Sequence, residues 1–209
     1  MEIWNDHSRG RAWELLKEYT KSPSLLKHAL AVETCVRAYG EREAGRMGLS
    51  GSEREGFVER YAATGLLHDF DYEQYPTAEQ HPFVGERILA ERGWPEEIRT
   101  AILGHAEDSG VRRETHLAKV LFACDELAGF LTACTLVKPT KSIFDVGVKS
   151  VQKKMKDKAF ARGVKREDIV TGAEELGVPL EEHIAFCSEA MQRNAAELEL
   201  DGRLGERGI

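Results

Sequence analysis

Three separated segments carry polar residues where their surroundings are apolar. His28 sits one turn after Leu25 on the apolar stripe of "SLLKHALAVETCVRAYGE", and His68 and Asp69 close the apolar run "YAATGLLHDF". Asp125 stands in "HLAKVLFACDELAGFL", after six residues of which five are apolar or small. Burying an isolated charge in such surroundings is costly, so each group needs a partner or access to water. Taken singly, exposure, helix capping or a hydrogen bond between neighbours satisfies each of them. Taken together, two imidazoles and two carboxylates from three helices make a donor set for a divalent metal, with positions left for water or a substrate oxygen. A polar network satisfied without metal uses the same residues and stands as the alternative.

The ordered set His28, His68-Asp69, Asp125 resembles the HD superfamily of metal-dependent phosphohydrolases, which is named for its adjacent His and Asp ligands. "KHALAVE", "GLLHDF" and "ACDELAG" fall in the order and contexts of that family's three ligand-bearing helices, and the resemblance runs from about residue 20 to about 135. His81 in "QHPFVGERIL" is similar to the HP-x-x-G-x-x-(I/L)-L segment of members with two metals. His105 in "AILGHAED" stands where many members carry His-His-Glu, with Ala106 in place of the second His. Their alternatives are an N-cap or surface histidine and a helix C-terminal histidine held by the dipole.

The resemblance implies an all-α, HD-domain-like multi-helix bundle and a metal-dependent phosphohydrolase, a mono- or diesterase acting on a nucleotide or other small phosphorylated substrate. His28, His68, Asp69 and Asp125 then bind the principal metal. His81 and His105 bind a second metal or orient the phosphate, and Asp69, His81 and His105 take the catalytic part, Asp69 as a bridge where two metals bind. Mixed nitrogen and oxygen donors do not distinguish Mn, Fe, Co, Ni, Zn and Mg, at one or two per chain.

The departures from the family pattern bear on function too. Many members continue the dipeptide as HD-x-G-K, whereas this chain reads "HDFDYEQ", so Asp71 and Tyr72 replace the Gly and Lys and a cation for phosphate is missing there. The Gly-Tyr-Pro of the cyclic-dinucleotide phosphodiesterases does not follow His105, which disfavours that activity, and no guanosine-polyphosphate synthetase domain is seen, which leaves a stand-alone hydrolase of that kind open. These departures motivate the alternative of a catalytically silent HD-type module that binds nucleotide or metal. Positive charge gathers instead from Lys138 to Lys158. Lys138 and Lys141, flanking Pro139 in a loop, are the candidates for binding substrate phosphate, while Lys149 to Lys158 read as a solvated helix face. No GxxxxGK loop, GxSxG elbow, HExxH or zinc-finger spacing occurs. His7, His116 and His183 read as surface or locally bonded residues, and Tyr72 and Tyr75 as partly packed surface outside the site.

The elements that position these residues read as helices. Ser22-Pro23 opens one with a polar N-cap and Pro at the first helical position, Ser52 with Glu55 forms a capping box, and Pro82, Pro95 and Pro179 open three more. Leu25, Leu26, Ala29, Val32, Cys35 and Val36 form one helical stripe, and Ile98, Ile102 and Leu103 another; β-branched alternation is scarce.

The chain of 209 residues suits one domain at 1–209 that needs no staple to fold. Its core is expected at about 20–135, with a lid or C-terminal helical cap at 136–200 and a flexible tail at 201–209. Truncation before Glu167 should destabilise it. A composition of 42% hydrophobic and 31% charged residues is globular, and a net charge of −7 argues against a nucleic-acid coat protein. No signal-peptide pattern or membrane-length apolar run is seen, so the expected location is cytoplasmic. Cys35, Cys124, Cys134 and Cys187, with no CxxC pair, read as reduced core thiols. Oligomeric state is left open.

Overall fold

The computed structural model describes residues 7–206. Among them the regular elements are helical, and the sole β feature is an isolated antiparallel bridge between Ser142 and Asp201. The chain forms two compact units whose division falls inside one helix, the first ending at Phe122 and the second beginning at Ala123.

The first unit contains α1 (Arg9–Tyr19), α2 (Pro23–Arg46), α3 (Gly51–Leu67), α4 (Phe83–Glu91), α5 (Glu96–His105) and the start of α6 (His116–Leu136). Its core is the stripe of α2 expected from the sequence, where Ala29, Val32, Cys35 and Val36 are buried while Leu25 and Leu26 are half-buried. Tyr61, Leu66 and Leu67 of α3, Leu89 of α4 and Ile98 and Ile102 of α5 complete it. Small residues let α2 and α3 approach closely: a Cβ on Gly65 would lie 2.8 Å from Glu33 Cα, and one on Gly40 2.7 Å from the Tyr61 side chain. This approach matters because α2 carries His28 and α3 ends at His68. Gly65→Ala is expected to push the two helices apart and to cost about 1–3 kcal/mol, as overpacking does, read as a lowered urea midpoint.

Buried Glu33 is held by Arg9 through a bidentate pair, Nε to Oε1 at 2.7 Å and Nη2 to Oε2 at 3.1 Å, which fastens α1 to α2. The segment after α3 is fastened as well. Thr20 Oγ1 donates to the Phe70 carbonyl at 2.9 Å, Phe70 is buried with its ring edge-on to Tyr19, and Glu73 accepts from the backbone N–H groups of Lys21 (2.7 Å) and Ser22 (3.0 Å). The turn that displays Asp69 is therefore tied to the α1–α2 junction through the residues that follow it, Phe70 and Glu73.

Two expected caps take a different form. Ser22 is the N-cap of α2 with Pro23 behind it, but its hydroxyl pairs with Ser24 Oγ at 2.9 Å rather than with a helix N–H. The Ser52–Glu55 capping box does not form, because α3 begins at Gly51, whose φ of +53° suits glycine, and Ser50 takes the N-cap position.

The second unit contains the rest of α6, a 3₁₀ turn at Ile143–Asp145, α7 (Val148–Met155), α8 (Arg166–Leu176), α9 (Leu180–Arg193) and α10 (Arg203–Glu206). Gly172 lets α8 meet α6, since a Cβ there would lie 2.6 Å from Ala123 Cα. His183 is fully buried and donates through Nε2 to the Ala123 carbonyl at 2.8 Å, so it is a core residue rather than a surface one. Arg166 gathers the loop before α8 by donating to the carbonyls of Asp157, Phe160, Ala161 and Val164. Ile143 N–H donates to the Leu200 carbonyl at 2.8 Å. Of the tail expected to be flexible, residues 207–209 lie outside the described residues; Asp201 joins the bridge and Arg203–Glu206 is helical. All four cysteines are free and buried.

Candidate metal centre

Four imidazoles of the first unit converge on one carboxylate. His28 projects from α2, His68 is the C-cap of α3, His105 is the last residue of α5, and His81 lies in the turn before α4. Asp69 Oδ2 is 3.4 Å from His68 Nε2 and 3.9 Å from His28 Nε2. Its other oxygen, Oδ1, is 3.2 Å from His81 Nε2 and 3.3 Å from His105 Nε2. Each oxygen thus faces a pair of imidazoles, and within each pair the Nε2 atoms are close, 3.2 Å for His28 and His68 and 3.4 Å for His81 and His105.

The opposite ring nitrogens fix which way these imidazoles face. His68 Nδ1 donates to the Gly65 carbonyl at 2.8 Å, and His105 Nδ1 donates to the Ile102 carbonyl; both carbonyls lie three residues back on the histidine's own helix. A proton on Nδ1 leaves the lone pair of a neutral imidazole on Nε2, toward the centre. Two such lone pairs at these separations repel unless a proton or a cation lies between them. In the cation-free protein a proton on His81 does this for its pair with His105. Burial lowers His81, but hydrogen bonds to Asp69 and Asp71 and the charges of both carboxylates outweigh it and raise the imidazole to about 9. Burial likewise raises Asp69, and the charge of His68 together with hydrogen bonds from His105, His68 and His81 overcomes it, holding the carboxyl well below its ordinary range. A divalent cation could take the place of that proton, since imidazole nitrogen and carboxylate oxygen are donors that such ions accept. Among the described residues Asp69, His81 and His105 form one possible cation group, their ligand atoms all within 4.8 Å of one another.

A family model described as HD domain matches residues 25–129, half of the chain. The chain belongs to the HD domain family. No curated protein matches it, and no solved structure does. HD domains are in general metal-dependent hydrolases, and some are non-catalytic. In this HD domain the name-giving pair is His68 and Asp69, the first fully buried and the second 24% exposed, open enough to reach a ligand from solvent. Asp125 falls within the matched span, half-buried on α6 in the second unit.

Lys138 and Lys141 also lie in the second unit, both half-buried. Lys141 adopts a φ of +52°, and its ammonium donates to the Leu136 carbonyl at the end of α6, so in this structure it caps that helix. His7 pairs with the Gly93 carbonyl at 2.8 Å and His116 with Tyr61 Oη at 2.8 Å.

Two residues of the "HDFDYEQ" run matter more than their sequence reading allowed. Asp71, taken only as a lost glycine, is 1% exposed and joins His81 Nδ1 to the Gly85 N–H, both at 2.7 Å. Tyr72 stands at the centre's edge, 42% exposed, with its ring perpendicular to that of His81 at 5.4 Å. The available signal was joint: a carboxylate two residues after Asp69 and the glycine of the His81 segment.

No helix among the described residues is long and apolar enough to cross a membrane.

Proposed function

We propose that this HD domain is a metal-dependent phosphohydrolase acting on a nucleotide or other small phosphate ester. The observation that carries the reading is the convergence of four imidazole Nε2 atoms on the two oxygens of Asp69. His28, His68 and Asp69 hold the principal divalent cation, with Asp125 joining them on the strength of the family motif, and His81, His105 and Asp69 hold a second. A divalent cation bound there polarises a phosphoryl oxygen and acidifies water.

The chain's own groups supply the rest. Asp69 offers one oxygen to each imidazole pair and so fixes the spacing of the two halves. The Nδ1 anchors of His68, His81 and His105 keep those rings from rotating, so the centre is organised before substrate arrives. Lys138 and Lys141 supply positive charge for substrate phosphate; Lys141 does so only by leaving the Leu136 carbonyl. Four buried free thiols fit a reducing compartment, for which we propose the cytoplasm.

Tyr72 at the family's lysine position and Ala106 at a histidine position favour a second reading, a silent module that binds the same cations and a nucleotide without turnover. The test is phosphate release by protein loaded with manganese, zinc or iron, offered p-nitrophenyl phosphate, its bis-ester and nucleoside mono- and triphosphates. Turnover that vanishes with a chelator and returns with the cation is the expected result. A cation-loaded protein that holds a nucleotide intact through the assay selects the second reading.

A further inference from the structure

We propose that Asp71 is the positioning residue for the His81 side of the centre: it turns His81 Nε2 toward Asp69 and sets how tightly that side takes up a divalent cation. The inference rests on the metal-centre reading above and names a residue outside the proposed ligand set.

His68 and His105 are each anchored by a carbonyl three residues back on their own helix. His81 lies in the turn before α4, and its Nδ1 donates not to a backbone carbonyl but to a side chain, and that side chain is a carboxylate. Asp71 is built for the task. Oδ1 accepts from His81 Nδ1 and Oδ2 from the Gly85 N–H, both at 2.7 Å, and the group is almost wholly removed from solvent. Its own backbone carbonyl accepts from the N–H groups of Tyr75 at 2.9 Å and Gln74 at 3.1 Å, so the residue that orients His81 is itself fixed. At position 85 the space is kept for the carboxylate, since a Cβ there would lie 2.7 Å from it.

A carboxylate on the far nitrogen of an imidazole fixes the ring and strengthens the near nitrogen as a donor more than a neutral carbonyl does. The side that receives this support has His81, His105 and one oxygen of Asp69 as its donors. Asp71 thus converts a turn histidine into one as firmly directed as the two helix-borne ones.

The experiment is a calorimetric titration of manganese into cation-free protein, wild type against Asp71→Asn, with His81→Ala marking complete loss of that side. An asparagine keeps the shape but offers an amide NH₂ to one of the two N–H donors. The expected result is two cations in wild type, with one of them bound about 10- to 100-fold more weakly in Asp71→Asn and the other changed less than about threefold. Equal weakening of both sides in folded Asp71→Asn overturns the proposal, as does unchanged uptake of both cations. Wild type that takes up a single cation overturns it too and leaves the family reading standing; wild type that takes up none overturns both. Because Asp71→Asn must fold to be informative, nitrogen-15 imidazole spectra of zinc-loaded wild type supply an independent measurement. Protonated Nδ1 with cation-bound Nε2 at His81 is expected, and a cation on Nδ1 overturns the assignment.

Discussion

Replacing Asp69 by Ala is expected to strip the protein of both cations and to lower cation-dependent turnover by about a thousandfold or more, the scale of losing several kcal/mol of transition-state charge stabilisation. The size of the effect follows from the geometry. His28 and His68 approach one Asp69 oxygen, and His81 and His105 the other. A variant lacking one histidine, such as His105→Ala, disturbs one half; a variant lacking Asp69 disturbs both. Cation-free protein should also suffer, because Asp69 is the carboxylate that all four imidazoles face and removing one partner of a buried charge cluster leaves the rest less compensated. Such removals cost about 3–5 kcal/mol when fully buried, and the 24% exposure of the Asp69 side chain brings the expectation down to about 2–4 kcal/mol. Elemental analysis of protein purified without chelator reads the first effect and urea unfolding of the cation-free form the second. An Asp69→Ala protein with its full complement of cation would remove the basis of the reading.

The parts of this centre that were legible in the sequence are those governed by helix period or by a motif of fixed local spacing. His28 shares a face with Ala29, Val32 and Val36, and His68 follows the apolar end of α3, so their inward direction could be read from neighbours three and four residues away. The family match at 25–129 spans both residues. Asp71 was not legible because its partners, His81 and Gly85, lie 10 and 14 residues on, across turns that obey neither helix nor strand period. His183 escaped for a similar reason, since its partner is the Ala123 carbonyl 60 residues back along the chain. The capping box at Ser52 failed on a different ground. Its residue types were right, but Gly51 can adopt the left-handed backbone at which the helix starts, and a pattern of hydrogen-bonding side chains does not report that freedom. Periodic packing is encoded locally, whereas the polar contacts that aim a ligand are made after the helices have met.

Those polar contacts also fix how the centre responds to pH, and the second large effect is expected in cation affinity. His81 carries a proton up to about 9, against an ordinary histidine value of 6.5, although burial alone would lower it; hydrogen bonds and charge from Asp69 and Asp71 do the raising. A cation requires the neutral imidazole, so below that value it must displace a proton. Affinity at the His81 side should therefore climb about tenfold per pH unit from 6.5 and level off near 9, about 300-fold in all, with one proton released per cation bound. The sign is opposite for the stability of cation-free protein. A raised folded-state value means that the His81 contribution is fully present below 6.5 and is lost as pH rises through about 9, a change on the order of 3 kcal/mol. Asp69, depressed by the histidines against its burial, contributes in the other direction: its share is present above the ordinary aspartate value of 3.8 and disappears as pH falls through its lowered one. Between these limits the cation-free cluster is a compact ion network, and raising the pH trades that network for cation binding. Manganese titrations across this range, with an indicator dye counting released protons, read the trade directly. Affinity that stays flat between 6.5 and 9 without proton release would take His81 out of the ligand set and leave its ring as a charged partner of Asp69 and Asp71 alone.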